Sequence, residues 1–175
     1  MKKLIVIAAL VIFAGVSNKV MAQTIASSTA GAEIMTPITL TNNVGLEFGK
    51  MAVQLATGGT VVLTAAAAPT ATPANGVTLM TGTTRTAAKY TVGGTASYIY
   101  TITVPQVPVT ITKGGGVNMT ITAFSFASIA TPSLTGGTLT VGGTDVFYVG
   151  GTLNVAAGQA AGAYTGNFDV TVNYN

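Results

Sequence analysis

The sequence predicts an all-β protein of short antiparallel strands, arranged as a sandwich or a barrel. Only 6% of the residues are charged and 22 are glycine, and with abundant Thr and Val this composition is typical of strands joined by tight turns. No stretch has the length and periodicity of a helix that could connect parallel strands. The tripeptide Gly-Gly-Thr punctuates the chain, starting at positions 58, 93, 136, 142 and 150, and it predicts turns.

The clearest single element is the last one, residues 162–175, which is predicted to be one β-strand. One parity carries the apolar or small side chains and the other carries polar ones, a period of two that places one face on a core and the other in water. Burying five such side chains at about 1.5–3 kcal/mol each contributes on the order of 10 kcal/mol, the size of a domain's net stability. The strand is therefore expected either inside a sheet or at an edge that another strand must cover. Its inward-facing positions are Tyr164, Gly166, Phe168, Val170, Val172 and Tyr174.

The other strands follow from the same alternation and from the glycine breaks. Residues 65–76 are predicted to be a loop, because Pro69 and Pro73 disfavour a helix and Asn75-Gly76 is a turn dipeptide. Pro37 indicates that the first strand lies at a sheet edge or that its pairing starts there. The predicted strands are residues 34–41, 44–49, 51–55, 60–64, 77–81, 87–92, 97–104, 107–112, 117–124, 138–141, 146–149 and 153–156.

The first residues have the layout of a secretory signal peptide, with cleavage expected after Ala22. The apolar run, residues 4–16, is shorter than the ~20 residues that a membrane-spanning helix needs, so no stable membrane insertion is expected after cleavage. Removing residues 1–22 takes away Lys2, Lys3 and Lys19 and leaves four basic against four acidic residues. Such a neutral surface does not favour nucleic acid as a partner.

The predicted domain organisation is a leader at 1–22, a flexible extension at 23–33 and a β-domain at 34–175. The extension is small and polar, with a faint alternation through Ala26, Ala30 and Ala32 into Ile34. Two interpretations stay open at this point. The segment is either a disordered tail or an extension that pairs with a neighbouring molecule.

The chemistry available to the chain disfavours an enzyme. There is no histidine and no cysteine, so imidazole bases, imidazole metal ligands and thiolate sites are missing. The four acidic residues of the mature chain lie far apart, with Asp145 expected in a turn and Glu47 and Asp169 on solvent-facing positions. We predict no catalytic residue, no cofactor and no metal site.

Three remaining motifs have simple interpretations. Residues 114–116 lack the Lys-Ser/Thr of a phosphate loop and are predicted to form a turn. Asn118-Met-Thr120 matches a glycosylation sequon, a short pattern that arises easily by chance. Tyr90, Tyr98 and Tyr100 could form a sugar-stacking platform, although aromatic residues on one strand face are more often core.

The end of the chain resembles the end of pilin subunits that are assembled by the chaperone–usher route. Those subunits carry a glycine fourteenth from the end and a penultimate tyrosine, and here these positions are Gly162 and Tyr174. Leu46-Glu-Phe48-Gly49 resembles the Leu-x-Phe-Gly of the spore coat protein U and archaic pilin group. Taken together, the motifs look like an uncharacterised family of secreted bacterial β-sandwich domains, a domain of unknown function, over most of residues 34–175.

This resemblance implies an immunoglobulin-like antiparallel β-sandwich that is incomplete beside its C-terminus. It implies a structural or adhesive subunit of a surface fibre or pilus, assembled by β-strand addition with other copies or related subunits, a periplasmic chaperone and an outer-membrane usher. The location would be the periplasm in transit and then the cell surface. The alternative is a self-contained carbohydrate- or surface-binding module. The expected interface residues are Gly162, Tyr164, Phe168, Val170, Val172 and Tyr174, and the expected donor residues are Ala26, Ala30, Ala32 and Ile34.

Overall fold

A computed structural model describes residues 23–115, 118–130 and 135–175; the predicted leader lies outside these ranges. Over the described residues the chain forms β-strands and no helix, and Ile34–Asn175 is one compact unit. The strands are β1 (Thr39–Val44), β2 (Met51–Val53), β3 (Gly59–Leu63), β4 (Ala71–Asn75), β5 (Val77–Leu79), β6 (Ala88–Gly93), β7 (Ile99–Thr103), β8 (Val109–Thr112), β9 (Asn118–Ser128), β10 (Gly136–Thr138), β11 (Thr144–Val155) and β12 (Thr171–Tyr174).

The strands form a large sheet, a small sheet and one separate pair, all antiparallel. The large sheet runs in the order β1-β6-β11-β3-β4, with β9 on the other side of β11 and β8 beside β9. The small sheet runs β10-β7-β12, and β2 pairs with β5. This architecture is consistent with a β-sandwich and confirms the predicted all-β, antiparallel fold class.

Two apolar clusters form the core. The first is built mainly on β6, β7 and β11, where the rings of Tyr90 and Phe147 stack with centroids 5.2 Å apart. The second is centred on Val61, Leu63 and Leu153 and lies under β3, β9 and the second half of β11. The long strand β11 contributes to both clusters because its alternate residues face inward along its whole length.

Several boundaries differ from the sequence prediction. Residues 71–75, predicted as loop, form the edge strand β4. The Gly-Gly-Thr at 150 lies inside β11 and the one at 136 forms β10, so the turn prediction is wrong at both places. A Cβ at Gly150 would overlap the Leu63 carbonyl oxygen, and one at Gly136 would overlap the Tyr100 carbonyl oxygen. Glycine is required there by the close approach of a neighbouring backbone.

The final stretch is not one continuous strand, which corrects the prediction. Thr165 forms an isolated bridge with Thr112 at the end of β8, in the large sheet, whereas residues 171–174 pair with β7 in the small sheet. The segment therefore crosses from one sheet to the other. Its alternation survives the crossing, since Phe168, Val170, Val172 and Tyr174 are half-buried and pack on the first cluster.

Candidate functional site

The edge of β12 that faces away from β7 has no partner strand within the described part of the chain. The Asn175 amide donates to the Ile99 carbonyl, and Asn173 pairs with Thr101 in the same register. Backbone groups of alternate residues point to opposite sides of a strand. The N–H and C=O groups of Val172 and Tyr174 are therefore directed to the open edge, while their side chains pack on the core.

The first strand, β1, has a matching open edge. The Gly94 amide donates to the Gly143 carbonyl. The backbone N–H and C=O groups of the even-numbered residues of β6 therefore point to β11, and those of the odd-numbered residues point to β1. Thr39 and Thr41 pair with those odd-numbered residues. By the same alternation, the backbone groups of Leu40 and Asn42 point away from β6.

These two open edges lie next to one another on the same side of the sandwich, without pairing. We call the space between them the β1–β12 cleft. Its floor is apolar and incompletely covered, because half-buried side chains from both borders pack there on the first core cluster. The half-buried side chains that β1 and the last segment place on the core here are Ile38, Leu40, Phe168, Val170, Val172 and Tyr174.

A different edge of the molecule, the outer edge of β4, is blocked. The Thr64 amide donates to the Thr70 carbonyl, so in the β3–β4 register Thr72 and Ala74 face β3 while Pro73 faces outward. Proline has no N–H, and at such a position it prevents another strand from pairing. No proline lies in β1 or β12, so the cleft lacks this protection.

One end of the cleft is polar. The Asn42 side chain donates to the Val44 carbonyl and lies near the Tyr90 hydroxyl, and Asp169 lies close enough for its charge to act on the phenol. The pKa of Tyr90 is raised above its ordinary value, chiefly by burial and further by Asp169, while the neighbouring Asn42 side chain opposes the shift. The phenol therefore stays neutral to a higher pH than that of an exposed tyrosine.

A buried polar network supports β7, the strand that carries β12. The Asp145 carboxylate is 4% exposed and accepts hydrogen bonds from the Tyr100 hydroxyl at 2.7 Å and the Ser128 hydroxyl at 2.6 Å. It also accepts from the amides of Val146 at 2.6 Å and Ala130 at 3.3 Å. Burial, and then Asp145, raise the pKa of Tyr100. The prediction that Asp145 lies in a turn is wrong, because the residue is an inward-facing position of β11.

The structure brings four of the six predicted interface residues together, namely Phe168, Val170, Val172 and Tyr174. The other two lie near β8, at the opposite end of the segment. Gly162 has φ +151° and abuts Lys113, and the Tyr164 hydroxyl donates to the Ala160 carbonyl. Tyr164 packs on the second core cluster, so neither residue contributes to the cleft.

Sequence reasoning missed Leu40 and Asn42 as cleft residues. The alternation of residues 34–41 marked a strand, but it did not show which strand would lie beside β12. Ile34 is 97% exposed, and Ala26, Ala30 and Ala32 lie where the structure assigns no strand. Their role as donors stays a prediction.

The tyrosines do not form an exposed platform. Tyr90 and Tyr100 are buried, and the Tyr98 ring meets the Tyr174 ring edge-on with centroids 6.0 Å apart. Core packing is therefore the interpretation that the structure supports for these residues. Over the described ranges no three potential metal-ligating residues lie together, and no helix there is long and apolar enough to cross a membrane.

Comparison with known proteins identifies a family without adding a function. The family described as domain of unknown function (DUF4402) matches residues 38–174, from the residue before β1 to the end of β12. The match therefore includes both strands that border the cleft. No curated protein and no solved structure matches the chain.

Proposed function

The chain belongs to the DUF4402 family, and we propose that it is a structural or adhesive subunit that joins other copies or related subunits by β-strand addition. The added strand lies in the β1–β12 cleft. The observation that carries this proposal is the pair of neighbouring open edges above an incompletely covered apolar floor. An open edge of this kind is a template for another strand.

A strand in the cleft meets the outward backbone groups of Val172 and Tyr174 on β12 and those of Leu40 and Asn42 on β1. Some Cα atoms of β1 and β12 lie within 8 Å of each other, which is less than the ~9.6 Å that a strand needs between two neighbours. The two edges therefore separate when the added strand pairs with both. Its own alternate side chains complete the cover over the half-buried Phe168, Val170 and Val172. Backbone pairing supplies affinity in this mode, and the side chains that enter the core supply specificity.

We propose that the donor is the segment of residues 23–36 from another copy. Its even positions are small, with Ala26, Ala30 and Ala32 leading to Ile34, which suits a floor already partly filled by half-buried side chains of β1 and the last segment. The segment has eleven residues before Ile34, and β1 has six. At about 3.3 Å per residue, such a segment is long enough to follow the whole cleft edge.

In this scheme the protein is exported through its leader, and the open cleft is covered in the periplasm before assembly at the cell surface. A periplasmic chaperone that lends a strand and an outer-membrane usher are the partners that this requires. An open apolar edge without such cover promotes aggregation. Recombinant protein produced without a partner is therefore expected to self-associate.

The test removes one backbone N–H from each of two edges. Val172→Pro deletes an N–H that faces the cleft, and Ala71→Pro deletes one that faces outward from β4, so neither replacement breaks an existing sheet bond. Assembly is followed by electron microscopy and by resistance to SDS without boiling, with thermal unfolding as a check on folding. We expect Val172→Pro to lose the fibres and Ala71→Pro to keep them. Equal assembly of the two variants, or a strictly monomeric parent protein, contradicts the proposal.

A further inference from the structure

The penultimate residue, Tyr174, joins three separate parts of the sandwich. Its hydroxyl donates to the Thr36 carbonyl at 2.8 Å and accepts from the Thr95 amide at 2.6 Å. The Thr36 amide in turn donates to the Thr95 hydroxyl oxygen at 2.8 Å. We call these three hydrogen bonds the Tyr174 clamp. They connect the end of β12 to the turn after β6 and to the residues that lead into β1.

The surrounding residues are shaped to admit the tyrosine hydroxyl. A Cβ on Gly94 would collide with that hydroxyl and with Leu139, so a side chain at this position is incompatible with the clamp. The Tyr98 ring packs edge-on against the Tyr174 ring, with centroids 6.0 Å apart. The phenol is therefore held by packing as well as by hydrogen bonds, which restricts the directions in which its hydroxyl points.

Tyr174 belongs at the same time to the acceptor edge of the cleft. Its backbone groups point into the β1–β12 cleft, and its side chain holds Thr36, the last residue of the proposed donor segment 23–36. One residue thus contacts both the place where a neighbour's strand would enter and the base of the strand that this copy would donate.

We infer that Tyr174 couples acceptor and donor, so that a strand bound in the cleft tightens the hold on Thr36 at the root of the outgoing segment. This inference rests on the proposed function. Pairing of the open edge of β12 restricts the backbone of Tyr174. Once this backbone is restricted, the residue loses less conformational entropy when its side-chain hydroxyl is held by Thr36 and Thr95. By the reciprocity of linked equilibria, loss of the clamp weakens the cooperation between the two sites. Tyr174 is here a positioning residue, because it acts through Thr36 and Thr95.

The experiment measures amide hydrogen exchange on the compact unit of residues 34–175, in which no copy carries the segment that would fill another's cleft, with and without a synthetic peptide of residues 23–36. Tyr174→Phe keeps the ring and removes only the hydroxyl, and Tyr98→Phe is the matched control because the Tyr98 hydroxyl makes no bond of the clamp. Without peptide, the Thr95 amide is expected to exchange about fivefold to tenfold faster in Tyr174→Phe, the factor for one lost hydrogen bond. Tyr98→Phe is expected to match the parent protein.

With peptide at saturation, the amides of Leu40, Asn42 and Val172 are expected to become protected in all three proteins. Extra protection at Thr36 and Thr95 is expected in the parent and in Tyr98→Phe, and it should be missing in Tyr174→Phe. If the cleft amides are protected while Thr36 and Thr95 respond alike in all three proteins, the coupling is wrong and strand addition stands. If the cleft amides show no protection, strand addition fails and the coupling fails with it.

Discussion

Replacing Asp145 by asparagine tests whether the buried carboxylate holds the two sheets together. One carboxylate oxygen accepts from the hydroxyls of Tyr100 on β7 and Ser128 on β9, and the other accepts from two backbone amides. Asparagine keeps one acceptor oxygen and replaces the other by a donor. In the best arrangement the remaining oxygen keeps the amide donors, and the new NH2 group faces the two hydroxyls.

The size of the effect follows from these contacts. Two charge-assisted hydrogen bonds at about 1.5–3 kcal/mol each are lost, and neutral bonds to rotated hydroxyls restore about 1 kcal/mol each. The free energy of unfolding is therefore expected to fall by about 1–4 kcal/mol. The Tyr100→Phe and Asp145→Asn losses should not add in the double variant, because the two residues share one hydrogen bond.

Urea unfolding followed by circular dichroism measures this change, with the slope of the transition as a check that the unfolded state is the same. Thr91→Ala is a suitable control, since its hydroxyl hydrogen-bonds to Asn43 on an exposed face and its loss is expected to cost under ~0.5–1 kcal/mol. A loss below ~0.5 kcal/mol for Asp145→Asn would refute the account of the network.

Two other predictions concern stability. Because the folded state raises the pKa of Tyr100, the unfolded chain ionises first on the alkaline side. The stabilisation is fully present below pH ~10 and is lost above it at about 1.4 kcal/mol per pH unit for one tyrosine. The urea midpoint of unfolding should therefore fall less steeply with rising pH in Tyr100→Phe than in the parent protein. Equal dependence on pH in the two proteins would exclude Tyr100 as the titrating group. Gly150→Ala places a Cβ against the Leu63 carbonyl and should lower the free energy of unfolding by about 1–3 kcal/mol. Gly45→Ala is the control, because a Cβ there has nothing within 4 Å and the free energy of unfolding should stay within ~0.5 kcal/mol of the parent value. Comparable thermal unfolding of the two variants would contradict this prediction.

The sequence correctly predicted the features that follow from the local alternation of side chains. The inward parity of Phe168, Val170, Val172 and Tyr174 was correct because successive side chains of an extended chain alternate whatever the partner strand is. The pairing itself was not predictable in this way. Gly166 lies so close to the Thr110 carbonyl that a Cβ would meet it, and between Thr165 and Thr171 the segment changes from one sheet to the other.

The errors share a cause in contacts between distant residues. The two hydroxyl donors to Asp145 come from positions 45 and 17 residues away, so no local pattern marked the residue as buried. Pro69, Pro73 and the Asn75-Gly76 dipeptide predict a loop at residues 65–76, yet Pro73 is compatible with an edge strand whose nitrogen faces outward. Leu40 and Asn42 became cleft residues only through the position of β12.

The absence of cysteine from the sequence permits a direct test of where a neighbour's strand lies. A protein carrying Thr41→Cys, whose side chain faces outward beside the cleft, is mixed with a series of single-cysteine variants at residues 25 to 32 and oxidised. The account predicts disulfide-linked dimers at alternate positions of the series, since only one parity of an inserted strand faces the same way as Thr41. Links without alternation, or equal linking to a Thr72→Cys control at an exposed position of β4, would contradict strand addition in the β1–β12 cleft.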